Sequence, residues 1–253
     1  MRGFLHLYLP AWIFLAILLG VWQAIVALQW VPSYLLPSPQ AILQTIWESR
    51  AEIVDALMST FSCVVWALLS SVVSGVTIAV LFFSNSLLRR AILPFCVFFQ
   101  TVPIIAIAPL LVIWFGFGPP TVKASAFIVS VFPMLANTLT GLQQTDPKLR
   151  ELFSLYRPGP LATIRKLLLP SALPYILTGL RIAVGLAVIG AIVGEFIAGG
   201  GIGGMIDSAR TQQRVDLVFA GVLLSSLLAL ALIFAIDGIA KLTLGGRPYL
   251  EKR

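Results

Sequence analysis

Two ionisable residues, Arg181 and Glu195, stand inside one long apolar run of this 253-residue chain. A charge placed in hydrocarbon costs at least about 2.5–3.5 kcal/mol on insertion scales, so each must face protein or water. At about 100° per residue the two share one face of a helix. The helical rise holds them about 21 Å apart, too far to pair within that helix. Residues of this kind do electrostatic work. Arg181, the more cytoplasmic of the two, can attract an anion, snorkel to the interface or tie its helix to the polar segment before it. Glu195 stands beside six residues, 199–204, of which five are glycine, and can anchor an outer gate by accepting from backbone donors. Both can equally well pin helices together.

Covalent chemistry has no residues to work with. His6 is the single histidine, so no metal constellation forms. Cys63 and Cys96 are isolated in apolar surroundings and read as small apolar residues rather than a disulfide or a metal pair. Gly-x-Ser-x-Gly, HExxH and paired intramembrane carboxylates are all absent. The glycine run 199–204 is not followed by Lys-Ser or Lys-Thr and follows no strand, so it is no phosphate loop and reads as a tight external turn. The chain therefore reads as a non-enzyme with no cofactor of its own.

The most polar segment is 146–174, DPKLRELFSLYRPGPLATIRKLLLPSALP. Leu149, Leu152, Phe153 and Tyr156 recur at helical spacing as one apolar stripe. Pro158-Gly159-Pro160 breaks that helix, and Leu161, Ile164, Leu167 and Leu168 continue an apolar face up to Pro170. On charge and period alone this is a basic loop on lipid headgroups, or a pair of amphipathic helices presented to a partner.

The elements that position these residues follow from composition. Of the chain, 59% is hydrophobic and 11% charged, with mean hydropathy +1.00. A soluble domain of this length carries about 25% charged residues. The chain reads as one all-α, polytopic membrane domain over 1–253. Its spans are expected at 7–30, 57–83, 91–115, 124–142, 173–197 and 217–240, each able to cross a core of about 30 Å. The first run is too long for a signal sequence and lacks a cleavage site. Ser38 and Pro39 start an amphipathic interfacial helix over 41–52. Ser59, Thr60, Ser62, Ser70, Ser71, Ser74 and Gly75 in the second span favour close helix packing over a polar pore lining.

Pro94, Pro103 and Pro109 in the third span should kink it, with Thr101 nearby, and such breaks are tolerated where protein or a water-filled cavity satisfies the freed carbonyls. Lys123 reads as a lone charge in an external loop. Asn137 in the fourth span either hydrogen-bonds a neighbouring helix or lines a route. Asp237 falls near an interface at the end of the sixth.

The net charge of +7 is distributed by side. Twelve Lys and Arg fall on one side of this arrangement, against Arg50, Lys123, Arg210 and Arg214 on the other. That bias places both termini in the cytoplasm and makes a nucleic-acid partner an unnecessary reading.

Glu151-Leu152, then Leu167, then Leu169-Pro170 resemble the permease signature of bacterial ABC importers, which reads Glu-Ala-Ala, three residues, Gly, and later Ile-x-Leu-Pro. Phe153 replaces the second Ala and Arg157 stands where the Gly is expected, with Gly159 two residues later. TVPIIAIAPLLVIWFGFG at 101–118 and Leu-Pro-Ser-Pro at 36–39 resemble the nitrate, sulfonate and taurine group of that family. So do Phe132-Pro133, Asn137, Gly141 and Asp146-Pro147 in the fourth span, and Leu180-Arg181 and Gly194-Glu195 in the fifth.

The resemblance implies the six-span type I permease fold, with 146–170 as the coupling segment that docks on an ATPase. Glu151, Leu152, Phe153, Tyr156, Arg157 and Gly159 would carry that contact. Thr101, Pro103, Pro109, Asn137, Arg181 and Glu195 are the pathway or gate candidates. It implies a homodimer in the bacterial inner membrane, a cytoplasmic ATPase dimer holding ATP and Mg, and an external solute-binding protein. The implied solute is a small anion or a vitamin precursor. A channel or secondary carrier would use the intramembrane charges without an ATPase, and leaves the coupling segment unexplained.

Overall fold

The computed structural model describes the backbone of residues 2–244 and the side chains of 9–243; most of the basic tail expected in the cytoplasm lies outside the described residues. Among them the chain is helical with no strand. In order it forms α1 (Arg2–Ala27), α2 (Pro39–Glu48), α3 (Arg50–Ser84), α4 (Ser86–Thr101), α5 (Ile104–Phe115) and α6 (Pro119–Gln143). Then come α7 (Pro147–Leu155), α8 (Pro160–Thr163), a π-helical turn (Ile164–Leu168), α9 (Leu169–Ala198), α10 (Gly201–Thr211) and α11 (Val215–Leu244). Five stretches are long and apolar enough to cross a membrane, and α4 with α5 makes a sixth that is bent by 101°.

The core is α6 against α9, antiparallel and very close. A Cβ on Gly190 would stand 2.9 Å from Ala126 Cα, and one on Gly141 would stand 3.1 Å from Ala172 Cα. In lipid, where burial of apolar surface no longer drives association, small residues gain contact by letting backbones approach. α3 lies parallel to α6: the Ser71 and Ser130 hydroxyls pair at 2.8 Å, and one turn on, Gly75 abuts Met134. Val64, Ala67, Val122, Ala126, Val184, Ala187 and Ala191 fill the space between the three helices. The serines and glycine of the second span thus work in part as packing residues.

Several expected boundaries move, for physical reasons. The third span is not one helix. Val102 is extended (ψ 123°) and Pro103 starts α5 as its N-cap, because proline pushes the preceding residue out of the helical region. Pro109, expected to kink as well, stays inside α5. The pair still crosses once: α4 begins directly after α3, and beyond α5 the Gly118 N–H donates to the Ala198 carbonyl at the far end of α9 (2.9 Å). The fourth span begins at Pro119, so Lys123 is no loop residue. It sits half-buried in α6 with its amine 5.8 Å from the Trp66 ring.

The amphipathic helix ends at Glu48 rather than 52, and α3 begins at Arg50, seven residues before the expected start of the second span at 57. Its added turns bury Ile53 against Ile202, Met205 and Ile206 of α10. The fifth span is longer too, with continuous helix from Pro160 to Ala198. The π turn makes this possible: Leu169 N–H bonds the Ile164 carbonyl, and the widened turn leads into Pro170, which has no N–H to give.

Candidate functional site

The first part of the expected coupling segment folds as a short helix, α7, while 160–170 is continuous with α9. Asp146 caps α7, its Oδ1 accepting from Lys148 N–H at 2.9 Å, and Pro147 takes the first turn. No residue of α7 is buried. Leu152 is 56% and Tyr156 80% exposed, Leu149 and Leu155 are exposed beside them, and Phe153 alone of the expected stripe is half-buried. Glu151 is exposed on this helix. Leu155, one turn beyond Leu152, was not among the expected residues, although its spacing marks it.

Arg157 closes α7 with φ +46°, a left-handed conformation uncommon for any residue with a Cβ. The glycine that the signature has here is therefore a backbone requirement, which this chain meets at some cost with arginine. Gly159 is extended (φ −66°, ψ 160°) and leads into α8, so it does not substitute for that glycine. Arg157→Gly is expected to raise stability by about 0.5–1 kcal/mol, the left-handed penalty less the added entropy of glycine in the unfolded chain. A thermal-denaturation series on the purified complex checks this, and a lower melting temperature than wild type would contradict it.

A second site lies at the other end of the bundle. Glu195 is 1% exposed. Its Oε1 accepts from the Thr60 hydroxyl at 2.7 Å and its Oε2 from the Gly203 N–H at 2.8 Å, while Thr60 Oγ1 accepts from the Ile202 N–H at 2.9 Å. Ile202 and Gly203 lie in the first turn of α10, where N–H groups have no intrahelical acceptor. Side chains from α3 and α9 together cap α10, and the positive end of that helix faces the carboxylate. This corrects the reading of 199–204 as only a turn. Gly199 and Gly200, at φ +78° and +83°, make the turn. Gly203 is helical and leaves space for the carboxylate, since a Cβ there would stand 2.7 Å from Glu195 Cβ. Thr60 was read only as part of a packing series; its partner is 135 residues away, beyond any local signal.

The remaining candidates are dispersed. Arg181, on the same face as Glu195 by its spacing, is 58% exposed and pairs with Asp237 of α11 at 3.4 Å. α10 and α3 close over one end of the α9 face and leave the other open. Asn137 folds its amide back onto the Pro133 carbonyl (2.9 Å) and lies against Gly179 of α9. The Thr101 hydroxyl donates to the Phe98 carbonyl (2.7 Å), and Thr101, Pro103 and Pro109 line an exposed edge of the α4–α5 break. Phe98, Phe99, Ile105, Ile113 and Trp114 are exposed on the same two helices.

Among known proteins, the family described as binding-protein-dependent transport system inner membrane component matches residues 71–243. A formylaminopyrimidine transport permease protein, ThiX, of Halalkalibacterium halodurans is 36% identical over 95% of this chain and 96% of its own length. A probable ABC transporter permease protein of Haemophilus influenzae is 35% identical, covering 87% of this chain and 91% of the relative. Among solved structures, a chain of the inward-facing MetNI methionine ABC transporter aligns with a TM-score of 0.63 at 20% identity, over 76% of this chain and 95% of that one. At that identity the likeness speaks to fold alone.

Proposed function

This chain belongs to the binding-protein-dependent transport system inner membrane component family and is the permease of an ABC importer, and from that premise we propose that it works as one half of a homodimer driven by two cytoplasmic ATPase subunits and supplied by an external solute-binding protein. The observation that carries the reading is α7, a capped helix with Leu149, Leu152, Leu155 and Tyr156 exposed and Glu151 between them. An apolar patch of that kind on a charged loop marks a protein contact. ATP and Mg belong to the ATPase, since no phosphate loop occurs in this sequence.

Closure of the ATPase dimer on ATP draws the two α7 helices together. That motion closes the route on the cytoplasmic side and opens it outside. Solute enters from the binding protein, and hydrolysis resets the gate. The termini lie in the cytoplasm by the distribution of Lys and Arg, which puts α7 inside and the Glu195 network outside. Glu195 anchors the outer gate. The broken α4–α5 pair, with Thr101, Pro103 and Pro109, borders the route. Asn137, turned onto its own helix opposite Gly179, belongs to packing.

The solute is a small vitamin precursor of the pyrimidine kind. Two observations favour this over an inorganic anion or a sulfonate. The relative that covers 95% of the chain is named for a formylaminopyrimidine. And Arg181, the cation within α9, is already paired with Asp237, which leaves its charge offset and its role that of joining α9 to α11.

Proteoliposomes holding the permease, its ATPase and its binding protein test the reading. The expected result is uptake of formylaminopyrimidine that needs internal ATP and the binding protein, with taurine excluded. Uptake without ATP would make the chain a channel or secondary carrier instead. ATP-driven uptake of taurine would keep the importer and overturn the solute.

A further inference from the structure

Two long helices, α3 and α6, end side by side, and one side chain of α7 meets both ends. Arg150 Nη2 donates to the Leu142 carbonyl at 2.5 Å, one residue before α6 ends. The guanidinium lies over the Phe83 ring, 5.1 Å from its centroid, one residue before α3 ends. Carbonyls in the last turn of a helix lack intrahelical partners and carry the negative end of its dipole, so a planar cation fits both ends at once. Phe83 adds the aromatic face on which a guanidinium stacks.

Arg150 also differs from its neighbours. Lys148 and Arg157 are exposed, whereas Arg150 turns inward, and its Nε is buried without an acceptor among the described residues. Little else fixes α7. It has no buried residue, and its covalent link to α6 is the three-residue stretch 144–146. Without Arg150 a push on α7 could be taken up by flexing of that link.

We infer that Arg150 is a positioning residue that makes α7 move as one body with the ends of α3 and α6, so that displacement of α7 reaches the spans. α6 in turn is locked along its length to α9 by close glycine contacts, and α3 carries Thr60 to the Glu195 network at the opposite end. Motion delivered to these two helices therefore has a continuous packed path to the outer site. The inference rests on the ATPase-coupling reading, and the two fail differently. If the wild-type complex retains no ATPase, that reading fails. If the complex forms and transports but Arg150 has no effect on its yield, only the strut fails.

The test measures solute delivered per ATP hydrolysed in proteoliposomes carrying the whole complex. Arg150→Met removes the charge and the planar face at similar length, Arg150→Lys keeps only the charge, and Phe83→Leu removes only the ring. In Arg150→Met, ATPase subunits remain bound and basal hydrolysis stays near wild type, while solute per ATP falls about tenfold. Arg150→Lys and Phe83→Leu show smaller losses of the same kind. A residue that merely stabilised the fold would lower melting temperature and leave solute per ATP unchanged in the complexes that survive, and that result overturns the proposal. Should Arg150→Met fail to assemble, the other two variants decide on the same ratio.

Discussion

Leu152→Asp and Tyr156→Asp should each uncouple the permease from its ATPase. Both side chains are more than half exposed on α7, so neither supports the fold of this chain, and a carboxylate there costs the permease little. At an interface the same carboxylate is buried without a partner. Loss of one central contact residue typically costs about 2 kcal/mol or more, roughly a thirtyfold loss of affinity. The expected outcome is normal insertion and an unchanged melting temperature of the isolated permease. ATPase retained on affinity purification and solute-stimulated hydrolysis both fall by at least that factor. Phe153→Asp is a poorer probe, because Phe153 is half-buried and its replacement also perturbs the permease. Glu151→Ala completes the set: Glu151 is exposed, so its loss should lower stimulated hydrolysis while the fold stays intact. Full coupling in all of Leu152→Asp, Tyr156→Asp and Glu151→Ala would remove α7 from the contact.

Glu195→Ala is expected to be the most destabilising single change at the α10 end of the bundle. It leaves the Gly203 N–H buried without its acceptor, while the Thr60 hydroxyl keeps only the Ala56 carbonyl at 3.1 Å. An unsatisfied buried donor costs about 1–3 kcal/mol. One such donor amounts to about 2 kcal/mol, or about 4–8 °C of melting temperature for a chain of this length. Glu195→Gln, which retains one carbonyl oxygen, should lose less. Thr60→Val orphans the Ile202 N–H and Glu195 Oε1 in turn, while Oε2 keeps the Gly203 N–H. Because the three groups act as one network, the double variant Glu195→Ala/Thr60→Val should cost less than the two single losses added together, by more than about 0.5 kcal/mol. Strict additivity would show that Glu195 and Thr60 act separately. If the network also holds the outer gate, Glu195→Ala vesicles should leak solute without ATP, whereas leak-free vesicles of lowered stability would assign Glu195 to packing alone.

What could be read from the sequence was whatever each residue encodes without its distant neighbours. Runs of apolar residues long enough to cross hydrocarbon gave six crossings, because the bilayer demands the same length and polarity of every span. Pro103 signalled the break in the third, since proline restricts the residue before it wherever it stands. Leu149, Leu152, Phe153 and Tyr156 signalled a short helix with one apolar face, and the spacing from Glu151 to Leu169-Pro170 carried the family. Boundaries were less legible. A helix in a membrane stops where its packing stops rather than where hydropathy falls, so α3 ran back to Arg50 to meet α10 and α9 ran back through a π turn to Pro160.

Tertiary structure alone decided the partners. Arg181 and Glu195 share a helix face by their spacing. One is nevertheless half-exposed against Asp237, and the other is sealed between Thr60 and the start of α10. Nothing local distinguishes them, because the difference lies in which helices cover that face. The same holds for Arg150, one of several basic residues in a polar loop until the ends of α3 and α6 arrive beside it. Periodicity and hydropathy are properties of a single helix, whereas a hydrogen bond between residues 60 and 195 exists only after several helices have packed.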